Sequence, residues 1–198
     1  MGEWMHFKEI GGSGGHVYLI GYMGAGKSTV ARHLAERLNM PHLEMDALLE
    51  ERFQCTIKEY FALFGEEAFR SEESILLRDI MAFHVPHLVS TGGGIIERPE
   101  HIDWMKASGT VIYLFATPDT LYKRLIQTAD RPLFSADDRR AFRARYRRRH
   151  PRYREAADCT ISTERYTPKE VSERIARFLT ACGPSENDAY KNGTKRGN

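Results

Sequence analysis

The amino-acid sequence predicts an α/β fold, with a central parallel sheet of about five strands and helices on both faces. Two observations carry this. Between residues 17 and 179, short apolar runs of strand length alternate with segments of helical periodicity, the pattern of successive βαβ units. The first of those runs leads directly into a glycine-rich turn, Gly21-Tyr22-Met23-Gly24-Ala25-Gly26-Lys27-Ser28, which opens a helix.

The elements follow in order. Val17-Tyr18-Leu19-Ile20 is the first strand. Val30, Leu34 and Leu38 recur at i, i+4 and i+8, with Arg32, His33 and Arg37 opposite, which predicts an amphipathic helix. A short strand is expected over residues 41–45, then helices over 47–64 and 66–83, leading to the strand Leu88-Val89-Ser90. Residues 110–115 are β-branched and aromatic, a strand composition. Pro118 sits near the first turn of a helix running to about Gln127. A last strand over 159–161 and a helix over 169–179 complete the pattern.

A chain of 198 residues suggests one domain. Apolar residues at 41% and charged residues at 28% describe an ordinary globular composition. The net charge of +2 demands no polyanionic partner, so no nucleic-acid partner is expected. Cys55, Cys159 and Cys182 are scattered, without metal-ligand spacing, which fits a reducing compartment. No apolar run reaches membrane-spanning length, so a cytoplasmic chain without a membrane partner is expected. Residues 1–15 end in Gly-Gly-Ser-Gly-Gly and read as a flexible leader, native or added. Residues 182–198 are polar and read as a disordered tail, leaving 16–181 as the domain.

The turn 21–28 matches G-x-x-x-x-G-K-[ST] in the context that confirms it, between a buried strand and a helix. Backbone N–H groups of such a loop close around phosphates, and the helix adds its positive end. Gly24, Ala25, Gly26, Lys27, Ser28 and Thr29 are therefore the candidate nucleotide-binding residues. Lys27 would bridge the β- and γ-phosphates, and Ser28 would offer its hydroxyl to Mg²⁺. The motif specifies a nucleoside triphosphate and is silent about the acceptor.

Four features speak to the acceptor. Thr91-Gly92-Gly93-Gly94 follows a strand at its carboxyl end, where α/β sheets bind ligands and where bare backbone can touch them. Glu44-Met45-Asp46 ends the second strand, facing the phosphate loop. Asp46 has two open readings, a carboxylate orienting an acceptor hydroxyl or an N-cap for a helix from Ala47. Arg70 and Glu73 are spaced i, i+3; on spacing alone an exposed ion pair worth under about 1 kcal/mol explains them. Finally, residues 139–154 carry nine arginines. Phe142, Tyr146 and Arg149 fall at i, i+4 and i+7, so Arg149 shares the aromatic, inward stripe, whereas Arg140, Arg147 and Arg148 point elsewhere. An inward arginine needs an anion. Arg131-Pro132-Leu133 opens a stretch without strong periodicity, the kind that closes as a lid over about 129–142.

Taken together these segments resemble the shikimate kinase family. The match comprises the phosphate loop 21–28, Glu44 with Asp46, Gly65-Glu66-Glu67-Ala68-Phe69-Arg70, Ser90-Thr91-Gly92-Gly93-Gly94, Arg131-Pro132-Leu133, and Arg149 before Pro151 and Tyr153. The resemblance implies a three-layer P-loop kinase fold like that of nucleoside monophosphate kinases. It also implies ATP-dependent phosphorylation of the shikimate 3-hydroxyl in chorismate biosynthesis; separately, a monomer is expected. By the same resemblance, Asp46 would bind the shikimate hydroxyls and act as base. Arg70 and Arg149 would clamp the carboxylate, with Gly92, Gly93 and Gly94 lining the pocket. Arg131 would reach the transferring phosphate, and Arg124 and Pro168 would flank the adenine. One residue departs from the pattern: the family usually has Asp where this chain has Glu44, longer by a methylene, expected to reach Mg²⁺ through water. Two rivals are a P-loop kinase for gluconate or a nucleotide, and a non-enzymatic P-loop domain binding RNA through residues 139–154.

Overall fold

The computed structural model describes residues 15–127 and 139–181. Most of the leader, the tail from Cys182, and residues 128–138, which include Arg131 and most of the expected lid, lie outside them, while the expected lid positions 139–142 are the start of a helix.

Among the described residues the chain forms five strands, β1 (His16–Ile20), β2 (His42–Glu44), β3 (Leu88–Ser90), β4 (Gly109–Phe115) and β5 (Cys159–Ser162). Seven helices accompany them: α1 (Lys27–Leu38), α2 (Met45–Phe53), α3 (Ile57–Met81), α4 (Pro99–Ser108), α5 (Pro118–Gln127), α6 (Arg139–Ala156) and α7 (Pro168–Ala181). The sheet order is β2-β3-β1-β4-β5, and each neighbouring pair is parallel. β1 is therefore central, and it is buried at all five positions, as an apolar run covered on both faces must be. The chain leaves β1 toward one flank and β3 toward the other. That reversal of winding opens a crevice at their carboxyl ends. The phosphate loop and the glycine triplet both lie there.

The expected α/β architecture is present, with differences in helix boundaries. β2 runs straight into α2, whose first residue is Met45 rather than Ala47. The helical segment after β2 also stops earlier than its apolar pattern suggested. Gln54 takes a left-handed conformation (φ 54°), and Thr56 starts α3 with a reciprocal capping box to Glu59. The Thr56-x-x-Glu59 signature was present in the sequence to mark this start. The expected interruption at Gly65 is a kink inside α3, at φ 82° and ψ 173°, a backbone pose suited to glycine.

The inward face of α6 follows the expected stripe and extends it. Phe142, Tyr146, Arg149, Tyr153 and Ala156 are its buried residues. Tyr22 of the phosphate loop packs edge-on to Phe142 and Tyr146, at 5.1 and 5.6 Å between ring centres. Such pairs add about 0.5–1.5 kcal/mol each beyond area burial. They fix α6 over the nucleotide loop. No helix among the described residues is long and apolar enough to cross a membrane.

Candidate active site

The phosphate loop turns tightly from β1 into α1. Gly26, the N-cap of α1, sits at φ 91°, a conformation that side-chain-bearing residues rarely adopt. Lys27 reaches back across the loop, its Nζ donating to the Gly21 carbonyl at 2.9 Å. Arg124, from α5, ties the loop to the segment that follows β5. Its guanidinium donates to Gly24 O at 3.3 Å, and to Thr163 Oγ1 and O at 3.0 and 2.6 Å. Pro168, the first residue of α7, follows Thr167, which exchanges capping hydrogen bonds with Glu170. Arg124 and Pro168 thus stand on segments joined to each other and to the loop.

Each glycine of the triplet is pressed against a different functional neighbour. A Cβ on Gly92 would lie 2.7 Å from Asp46 Oδ1 and 3.1 Å from Glu73 Oε1. One on Gly93 would lie 3.4 Å from the backbone N of Met23 in the phosphate loop. One on Gly94 would overlap the guanidinium of Arg70. The three bare positions are what allow Asp46, the nucleotide loop and Arg70 to converge.

Asp46 lies in the first turn of α2, behind Glu44, which takes the N-cap position. Its reading as the N-cap is therefore overturned, because the helix begins one residue before it.

The structure also overturns the reading of Arg70 and Glu73 as an exposed pair. Arg70 is 8% exposed and Glu73 only 1%. Arg70 Nη1 donates to Glu73 Oε2 at 2.7 Å, and Nη2 to Glu66 Oε1 at 3.2 Å. Arg70 Nε is buried with no hydrogen-bond partner. A buried donor left unmatched costs about 1–3 kcal/mol. Burial works against the Arg70 charge, but the Glu73 carboxylate outweighs it and holds the guanidinium ionised. Burial pushes the Glu73 carboxyl up, and nearby Asp46 adds to the rise, against the pull of Arg70.

Arg149 is buried as its helical phase predicts. Its Nε donates to Glu97 Oε1 at 2.6 Å and Nη1 to Gly93 O at 3.3 Å, with the guanidinium 5.7 Å from the Tyr22 ring centre. The Tyr153 hydroxyl also donates to Gly93 O. Helix α6 therefore grips the triplet by its central carbonyl.

The chain was compared with known proteins. The family model for shikimate kinase matches residues 23–180. A shikimate kinase from Bacillus mycoides (strain KBAB4) is 39% identical over 163 residues, which span 82% of this chain and 97% of the relative. The chain belongs to the shikimate kinase family. Among solved structures, a shikimate kinase from Acinetobacter baumannii in complex with shikimate aligns with a TM-score of 0.81 at 30% identity. The alignment covers 90% of this chain and 97% of that one. A gluconokinase from Sinorhizobium meliloti 1021 aligns with a TM-score of 0.55 at 13% identity over 90% of this chain and 98% of its own. That likeness shows a shared P-loop kinase fold and says nothing about the acceptor.

The shikimate kinase signature residues thus fall on two sides of one crevice. Gly24, Ala25, Gly26, Lys27, Ser28 and Thr29 lie on the nucleotide side, and Asp46, Arg70, the triplet and Arg149 on the other. At their junction, Ser28 Oγ donates to Glu44 Oε2 at 3.1 Å. Glu44 Oε1 is 3.1 Å from His42 Nε2, close but not aligned as a hydrogen bond. Burial opposes ionisation of Glu44, yet His42, Ser90 and Ser28 outweigh it and hold its carboxyl below the usual range. A serine hydroxyl beside a charged carboxylate is a hard, all-oxygen donor pair, which suits Mg²⁺. Among the described residues no cluster of three or more His, Cys, Asp or Glu side chains is placed to hold a metal. Nucleotide oxygens and water would supply the remaining ligands.

Sequence reasoning missed four participants. Tyr153 lies on the stripe of Phe142, Tyr146 and Arg149, so the same phase argument reaches it. His42 shares a strand face with Glu44, at i, i+2. Tyr22 occupies a variable position of the phosphate motif, where only packing gives it a role. Glu97 meets Arg149 across 52 positions of sequence, with no local signal.

Proposed function

We propose that this chain transfers the γ-phosphate of ATP to the 3-hydroxyl of shikimate, giving shikimate 3-phosphate and ADP. The observation that carries this is the three-way packing of the glycine triplet. Gly92 abuts Asp46, Gly93 the phosphate loop and Gly94 Arg70, so hydroxyl-orienting, phosphate-holding and carboxylate-holding groups share one crevice.

In this reading the phosphate loop and Lys27 hold the β- and γ-phosphates, and Thr29 lies in the first turn behind them. Asp46 accepts a hydrogen bond from the acceptor hydroxyl and takes its proton as the phosphoryl group arrives. Arg70, with its unmatched Nε, and Arg149 receive the acceptor's carboxylate. Ser28, and Glu44 through water, would hold Mg²⁺, which neutralises charge on the transferring phosphate when bound. Arg131 would bring further positive charge from the lid. Arg124 and Pro168 flank the adenine.

The RNA-binding rival is disfavoured by how the basic helix is used. Arg139 and Arg143 pair with Asp119, and Arg148, Arg149 and Arg152 with Glu97. Five of the nine arginines are thus held by two carboxylates of the protein itself, and we take the chain to act in the cytoplasm as a monomer on two small molecules, without nucleic-acid or membrane partners. A coupled ADP-release assay with shikimate, gluconate and nucleoside monophosphates in parallel tests the function. Shikimate alone is expected to accelerate ADP formation, and folded protein that releases ADP no faster with shikimate than without it would refute the assignment.

A further inference from the structure

Glu97 closes the short 3₁₀ turn Ile95–Glu97 that follows the glycine triplet. Three arginines from two successive turns of α6 converge on it. Arg149 Nε and Arg148 Nη2 donate to Oε1 at 2.6 and 2.8 Å, and Arg152 Nη1 lies 3.5 Å from Oε2. The three contacts are not equivalent. The Arg149 side chain is 8% exposed and that of Glu97 15%, whereas those of Arg148 and Arg152 are 64% and 44% exposed. Solvent screens the outer two, so the Arg149–Glu97 pair is the one that fixes geometry. Burial opposes the Glu97 charge, but the arginines outweigh it and keep its carboxyl below the usual range, so Glu97 is an anion at neutral pH.

This anion decides which parts of Arg149 remain available. Glu97 takes Nε, the Gly93 carbonyl takes Nη1, and Tyr22 lies against the ring-like plane of the guanidinium. Among the described residues Nη2 makes no hydrogen bond, and it is the group left to meet a ligand. Arg70 is likewise oriented by protein carboxylates, with Glu73 on Nη1 and Glu66 on Nη2. Each acceptor-side arginine thus carries its own protein carboxylate. The pair presents oriented N–H donors rather than loose positive charge.

We propose that Glu97 is a positioning residue for the acceptor's carboxylate, acting through Arg149. This rests on the shikimate kinase reading above. Two effects of losing Glu97 oppose each other. Arg149 would be freed from a competing carboxylate, but it would also regain rotamer freedom next to two unneutralised arginines. Re-immobilising one long side chain on binding costs roughly 2- to 12-fold in affinity. The competing Glu97 contact does not occupy Nη2, so its removal returns little. The loss of order wins.

The test compares Glu97→Gln, Glu97→Ala and Arg148→Ala in the full chain, by steady-state kinetics with shikimate and with its methyl ester, which lacks the charged carboxylate. Glu97→Gln keeps the shape and one acceptor oxygen, so it serves if Glu97→Ala folds poorly. Both Glu97 variants are expected to raise the shikimate KM about 3- to 10-fold, with kcat and the ATP KM within about twofold. The ester, with no carboxylate to be positioned, should barely respond, so the preference for acid over ester shrinks by the same factor. Arg148→Ala should leave the shikimate KM within about twofold. An unchanged or lower shikimate KM in both Glu97 variants would overturn the proposal, marking Glu97 as inert or as a competitor. Equal shifts for acid and ester would overturn it as a general structural defect, and an equal rise in Arg148→Ala would reassign the effect to overall charge. Parent protein that does not turn over shikimate would instead refute the function itself.

Discussion

Replacing Gly94 by alanine isolates the contact between the triplet and the proposed carboxylate clamp. The backbone there, φ −105° and ψ 1°, is accessible to any residue, so no strain arises from the main chain. The added methyl instead falls on the Arg70 guanidinium. The far end of a flexible side chain can retreat, and the retreat breaks the 2.7 Å bond to Glu73. Glu73, 1% exposed, is then left poorly compensated, costing about 1–3 kcal/mol of stability. On the functional side one charge-assisted hydrogen bond to the acceptor is displaced, worth about 1.5–3 kcal/mol, or roughly 10- to 150-fold in the shikimate KM. The ATP KM should stay within about twofold, because the atoms nearest the Gly94 methyl all belong to Arg70. The assay is coupled ADP release with each substrate titrated separately and a thermal melt as control. Arg70→Ala and the double variant complete a cycle. If Gly94 acts through Arg70, the double variant should be hardly worse than Arg70→Ala alone. A shikimate KM raised less than about threefold, or fully additive losses, would refute the steric argument.

Other expectations follow from the same geometry. Glu44→Ala should demand more Mg²⁺ while leaving shikimate affinity nearly alone, and Glu44→Asp should change kcat/KM by less than about tenfold, since a link through water tolerates a methylene; a Glu44→Ala protein that titrates with Mg²⁺ like the parent would reduce Glu44 to a strand-end residue. Arg149→Ala should weaken shikimate use roughly ten- to a hundredfold while Arg147→Ala, on the exposed face, should not; equal losses would reject the phase argument. His101 is fully buried, with Nδ1 on the Ile95 carbonyl at 2.9 Å and Nε2 on Ser74 Oγ at 2.6 Å. A carbonyl only accepts, so Nδ1 carries the proton of a neutral ring. Burial lowers its pKa, so the unfolded chain takes up a proton near pH 6.5 before the folded one does. Stability is therefore held above about pH 6.5 and lost as pH falls below it, by up to about 1.4 kcal/mol per pH unit for this group. Denaturant midpoints between pH 7 and 5 should show that slope flattened in His101→Gln; an unchanged slope would place the acid sensitivity elsewhere, as in His16 or His150, whose pKa values are also lowered by burial.

The sequence by itself determined the architecture and the nucleotide side. Strand and helix periods differ, so the alternation of apolar runs survives in one dimension. The phosphate motif is likewise contiguous, because one loop and one helix end do its work. Helical phase even turned Arg149 inward without a structure. What tertiary structure decided were the facts that depend on burial and on distant partners. Arg70 and Glu73 look on spacing like any surface pair, and only the packing of α3 beneath the glycine triplet makes them a desolvated one. Asp46 could have capped a helix until α2 was seen to begin at Met45. Glu97 had no signal at all, since its meaning comes from α6 crossing over the triplet. Local pattern encodes which face of an element turns inward; what that face meets is set by contacts between segments far apart in the chain, and the energy of a charge depends on those contacts.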